Sequence, residues 1–183
     1  MLRVWMPMVN GTSNNQGLTN PTITDTNIVA NANGKLGKCC EFNGTDSRIL
    51  MEGDFGASVL GDDWTMCMWI YDTRGAARGC YFSTYGLTSG VSGGISLEKL
   101  ASKALRIYWN GNPDWSTGFA VPDNEWFHLA VVHRDNNVYV YVNGQLTKSN
   151  TAGTFTASKV AAYKQAALGR DYRTTTPAHK GYL

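Results

Sequence analysis

No stretch of about eighteen apolar residues occurs in this 183-residue sequence, which excludes a membrane-spanning helix and leaves no membrane partner to expect. Basic residues are scattered, and the net charge is only +2. Without a concentrated basic stripe, no nucleic-acid partner is expected. The opening Met1-Leu2-Arg3-Val4-Trp5 is too short and too quickly polar for a signal peptide, so the chain is expected to fold in the cytoplasm. The four cysteines, Cys39, Cys40, Cys67 and Cys80, contain no CxxC pair. Adjacent Cys39 and Cys40 face opposite ways on a strand, and the three histidines lie far from them in sequence. Zinc is therefore not expected, and buried reduced thiols are. No nucleophile elbow, internal repeat or linker is found. N-x-T sequons at Asn10 and Asn43 are unremarkable in a chain so rich in Asn and Thr.

What is present is alternation. In EWFHLAVVHRDNNVYVYVNGQ (125–145), Phe127, Leu129, Val131 and His133 share one face of a strand. After a polar turn at Asp135-Asn136-Asn137, Val138, Val140 and Val142 share a face opposite Tyr139 and Tyr141. Period two on both sides of a short Asn-containing turn predicts a β-hairpin. With apolar groups on both faces, it belongs in the centre of a two-layer sandwich and reads as frame. DWTMCMWIYD (63–72) predicts a second strong strand, with Trp64, Met66, Met68 and Ile70 against Thr65, Cys67, Trp69 and Tyr71. Residues 95–111 read as a hairpin turning at Ala101-Ser102-Lys103. Weaker strands are predicted at 2–8, 22–30, 39–42, 48–51, 80–85, 117–121 and 166–169, with a Gly-rich turn at 31–38 and a loop at 86–94. Ten to twelve short strands without a helix indicate one all-β domain over 1–183, an antiparallel two-sheet jelly-roll β-sandwich. A hydrophobic content of 43% suffices for its core. Phe42, Met66, Ile70, Leu129, Val131 and Val140 are predicted to lie between the sheets.

GKLGKCCEFNGTDSRI (34–49), DWTMCMWIY (63–71), the 125–145 stretch and AALGRD (166–171) follow the order and spacing of laminin-G-like domains, which the chain resembles over nearly its whole length. These belong to the concanavalin A-like lectin/glucanase superfamily. The opening MPMVNGTSNNQGL resembles versions found in tailed-phage and gut-bacterial proteins. The resemblance implies two stacked antiparallel sheets but no single function, since the fold carries lectins, hydrolases and structural modules. It also implies one more strand after HKGYL (179–183), pairing beside 2–8. The chain would then either continue past Leu183 or receive that strand from a neighbouring subunit, as in a homo-oligomer.

Glucanases of this superfamily use an E-x-D-x-E-type motif to place paired carboxylates for glycoside cleavage. Only Glu41, Glu52, Glu98 and Glu125 are available, and Glu52-Gly-Asp54 lacks a third carboxylate. No catalytic residue is assigned. Many relatives hold calcium at the rim, and Asp46, Asp54, Asp62 and Asp63 sit in turns where such ligands could converge, with solvated turn carboxylates as the alternative. YWNGNPDWSTG (108–118) is the candidate contact surface: Trp109 and Trp115 supply faces for sugar rings, and Asn110, Asn112 and Asp114 supply polar partners. Trp115, after Pro113-Asp114, is expected to be exposed. The functional expectation is a non-catalytic carbohydrate-binding or adhesion module of a phage virion or phage-like surface protein, displayed outside the cell. Its partners would be a host-surface glycan or neighbouring virion proteins. The alternatives are a purely structural virion component and a glycoside hydrolase.

Overall fold

The computed structural model describes residues 6, 8, 17, 20–53, 63–84, 94–109, 112–135, 137–150, 164–171 and 178–183, with backbone alone at 109, 112–114 and 150. Fourteen strands and no helix are found among them: β1 (Thr22–Thr26), β2 (Val29–Gly34), β3 (Gly37–Asn43), β4 (Arg48–Glu52), β5 (Trp64–Asp72), β6 (Gly79–Ser83), β7 (Ile95–Lys99), β8 (Ala104–Trp109), β9 (Asn112–Ala120), β10 (Trp126–Arg134), β11 (Asn137–Val142), β12 (Gln145–Asn150), β13 (Gln165–Leu168) and β14 (Lys180–Tyr182). They form two seven-stranded sheets, ordered β1-β4-β13-β6-β7-β8-β9 and β12-β11-β10-β5-β14-β3-β2. The all-β jelly-roll sandwich expected from the alternation is the fold observed.

Register explains the core. Phe127, Leu129 and Val131 stand opposite Ile70, Met68 and Met66 on β5. On the other side, Leu129, Val131 and His133 stand opposite Val142, Val140 and Val138 on β11. The facing sheet contributes Ile49, Met51, Tyr81, Ile95, Leu97, Leu105 and Ile107. Five of the six residues predicted for the core are buried, and Met66 is half-buried against it. Truncating Leu129 or Val140 to Ala is expected to cost roughly 2–5 kcal/mol.

Between the sheets lies a buried polar group. The Lys99 ammonium at the end of β7 donates to Asp72 at the end of β5. The Tyr81 hydroxyl also donates to Asp72, at 2.8 Å. The Arg74 guanidinium donates to the carbonyls of Gly44 (2.7 Å) and Ala178 (2.6 Å), fastening the start of the last strand to the β3–β4 turn.

Two regions differ from the sequence reading. The expected single strand over 22–30 divides at Asn27, whose φ of 48° lets the chain leave one sheet as β1 and enter the other as β2. The expected Gly-rich turn over 31–38 is mostly strand, with only Lys35 and Leu36 in the turn. A Cβ at Gly34 would lie 2.5 Å from the Gly37 carbonyl oxygen, so glycine here permits a close two-residue hairpin. HKGYL supplies β14, which lies between β3 and β5. Of the predicted 2–8 edge strand, only Met6 and Met8 are described, both packed on the core. The predicted loop at 86–94 lies outside the described residues except for Gly94.

Candidate functional site

Strand alternation that buries Phe127 and Leu129 turns Trp126 and His128 outward. The same rule on β5 turns Cys67, Trp69 and Tyr71 outward beside Met68 and Ile70. Register then assembles a cross-strand aromatic row: Trp126 opposite Tyr71, His128 opposite Trp69, and Tyr182 of β14 opposite Tyr71. Ring centroids lie 5.3 Å apart for Tyr71–Trp126, 5.3 Å for Tyr71–Tyr182 and 6.3 Å for Trp126–Tyr182. Trp69 meets His128 edge-on at 5.1 Å. All five rings are half-buried, so they pack against one another while keeping surface for a ligand. Burial, and after it the Glu41 carboxylate, pushes the Tyr182 phenol above its ordinary range, so it remains protonated at neutral pH.

Two turns frame this row. Lys35, at the β2–β3 turn, places its ammonium 5.3 Å from the Trp69 ring centroid. Asn143, at the β11–β12 turn, has φ 49°. Its Oδ1 accepts from the His128 backbone N–H at 2.9 Å, and its own N–H donates to the His128 carbonyl at 2.9 Å. These bonds fix the turn against β10. Lys35, Trp69, Trp126, His128 and Asn143 line an open depression of about 570 Å³.

Of the sequence-predicted contact residues, Trp109, Asn112, Asp114 and Trp115 lie on β8 and β9 of the other sheet. Trp109 pairs through its backbone with Ile95 and Asn112. Asn110 lies outside the described residues, as do the side chains of Trp109, Asn112 and Asp114. Trp115 stands opposite Ile107 and packs half-buried against the core, which corrects its expected exposure. The expectation rested on its place after Pro113-Asp114, but β9 already begins at Asn112 and Trp115 packs against the core. The outer aromatic face was present in the alternation of β5 and β10, where apolar groups on both faces had read as frame.

Of the expected calcium ligands, Asp54 and Asp62 lie outside the described residues. Both Asp46 carboxylate oxygens accept carboxamide hydrogens, from Asn27 (2.8 Å) and Asn43 (2.7 Å). The Asn43 bond leads in holding that carboxyl below its usual range. Asp63 is exposed and accepts from the Asp135 backbone at 3.2 Å. Register puts Asn43 near the Asp72 end of nine-residue β5 and Asp63 at the other end, roughly 30 Å away. Asp46 and Asp63 therefore cannot share an ion, and the described members of this set do not fit a calcium site. No cluster of three metal-ligating side chains occurs among the described residues. Glu98 is fully buried, with its Oε2 accepting from Arg78 (2.6 and 2.8 Å) and Arg106 (2.9 Å).

No curated protein sequence matches the chain significantly. Solved structures share its fold. Domain 4 of AbnA, a GH43 extracellular arabinanase from Geobacillus stearothermophilus seen in complex with arabinotriose, superposes with a TM-score of 0.75 at 21% identity, covering 99% of this chain and 89% of that one. The binding domain of Botulinum Neurotoxin DC in complex with SialylT gives 0.63 at 12% identity, covering 98% and 43%. A heptameric SAP-like pentraxin from Limulus polyphemus gives 0.56 at 15% identity, covering 78% and 71%. Residues 43–183 match a laminin-G family model described as the concanavalin A-like lectin/glucanases superfamily. With that match spanning most of its length and the sandwich described above, the chain belongs to the concanavalin A-like lectin/glucanases superfamily.

Proposed function

We propose that the protein is a non-catalytic carbohydrate-binding module that holds a glycan on the outer aromatic face of β5, β10 and β14. The observation that carries this reading is the half-exposed row of Trp69, Tyr71, Trp126, His128 and Tyr182, opening into the depression framed by Lys35 and Asn143. Ring faces offer apolar surface to the C–H side of a sugar, and the flanking polar groups reach its oxygens. The arabinotriose complex of the AbnA domain adds support by likeness of fold. The resemblance of the opening MPMVNGTSNNQGL to phage versions supports display on a phage virion or phage-like surface, facing a host-surface glycan.

A glycan array followed by calorimetry tests this reading. Saturable binding is expected, weakened about tenfold by Trp126→Ala or Trp69→Ala with the melting temperature nearly unchanged. Absence of binding to every glycan, with this face buried against neighbouring chains in an assembled particle, would replace it with a structural virion role. Release of reducing sugar from a bound polysaccharide would replace it with a hydrolase.

A further inference from the structure

Resting on that reading of the platform, we infer that its ligand is an acidic saccharide, with the anionic group of one sugar held at the Lys35 end of the depression. The lining side chains form an unbalanced hydrogen-bonding set. Lys35 and the indoles of Trp69 and Trp126 only donate. One of the two lone pairs of the Asn143 carbonyl oxygen is already engaged by the His128 backbone N–H, while its NH2 can donate to a ligand. Among the described lining residues, the side-chain acceptors are His128 and the remaining lone pair of Asn143 Oδ1, fewer than the donors, and none is a carboxylate. A neutral sugar both donates and accepts through each hydroxyl, and such a wall would leave most of its hydroxyl hydrogens to water. A carboxylate or sulfate only accepts, and it matches this donor excess.

The charge pattern on the same face agrees. Glu41 stands opposite Tyr182, at the other end of the aromatic row from Lys35, and it accepts from Asn31 at 2.8 Å. The Lys35 ammonium is held over Trp69 by the ring's negative face. It is thus positioned where a sugar stacked on the indoles would present a ring substituent.

The test uses the intact chain on an array of neutral, uronate-, sialate- and sulfate-bearing glycans, read in parallel for Trp126→Ala, Lys35→Met and Lys35→Arg. Glycans whose binding is lost in Trp126→Ala are expected to carry an acidic group. Lys35→Met should weaken them about tenfold and Lys35→Arg much less. Binding should also fall as sodium chloride rises from about 50 to 500 mM, through screening. The uronate and sulfate arms identify which acid is held. Lys35 is exposed on a turn, so equal melting temperatures separate a binding loss from unfolding. If the Trp126-dependent ligands are neutral, or Lys35→Met leaves their affinity unchanged, the acidic assignment is overturned while the carbohydrate platform stands. If no glycan shows Trp126 dependence, both fall.

Discussion

The four thiols differ only in where alternation and burial put them. Burial, assisted by Asp25 and Cys39, pushes the Cys40 thiol up to about 12. Burial and then Glu41 raise Cys39. Cys80 is fully enclosed, whereas Cys67 is exposed on β5, two residues from Trp69 on the same face. Since the thiolate is the reacting species, N-ethylmaleimide at neutral pH should modify one thiol quickly in the native protein, and Cys67→Ser should abolish that phase. Rapid modification of two or more would show that the β3 thiols are not enclosed as described. A glycan seated on Trp69 should slow the Cys67 reaction. Reduced thiols were legible in the cysteine spacing. The exposure of Cys67 was not, because period two sorts residues into faces without saying which outer face is covered. Trp115 was misjudged for the related reason that its cross-strand partner, Ile107, is set by register and not by its neighbours in sequence.

Among the elements, β5, β7–β8 and β10–β11 were legible because each carries several alternating apolar residues whose burial dominates its energetics. β2 and β14 were not, because Val29–Gly34 has little apolar surface and Lys180–Tyr182 is only three residues long. β14 depends on Gly181. Its φ is 136°, and a Cβ there would lie 2.0 Å from the Tyr71 carbonyl oxygen. Gly181→Ala must therefore push β14 away from β5 as well as adopt an unfavourable backbone conformation. A loss of about 3 kcal/mol or more is expected in denaturant unfolding. A loss below about 1 kcal/mol would mean that β14 is not held between β3 and β5 in solution. The same strand carries Tyr182, so this variant should also weaken glycan binding, which Tyr182→Phe should largely preserve.

For the whole molecule, the buried polar group makes the sandwich sensitive to acid. His179 is fully buried between Phe42 and Tyr81, and its Nδ1 lies 3.8 Å from Asp72. Burial outweighs the Asp72 charge and holds its pKa down, at about 4 against 6.5. The unfolded chain takes up this proton below about pH 6.5, and the folded chain refuses it until about pH 4. Its contribution is therefore complete above the unfolded value and lost as pH falls through that window, roughly 3 kcal/mol in total. Urea midpoints measured from pH 7 to 4.5 should fall accordingly, with a shallower slope in His179→Gln. Equal slopes would assign the acid sensitivity to other groups.

The central claim concerns which face of the sandwich meets the ligand. Among the described tryptophans, Trp69 and Trp126 lie on the outer face, Trp64 packs in the core, and Trp109 and Trp115 belong to the β8–β9 hairpin, so their indole N–H resonances report position directly. Titration with a glycan identified on the array should shift and broaden the Trp69 and Trp126 resonances and leave Trp64 and Trp115 in place. Shifts confined to Trp109 and Trp115, with Trp69 and Trp126 unmoved, would put the site on the β8–β9 hairpin and contradict the platform.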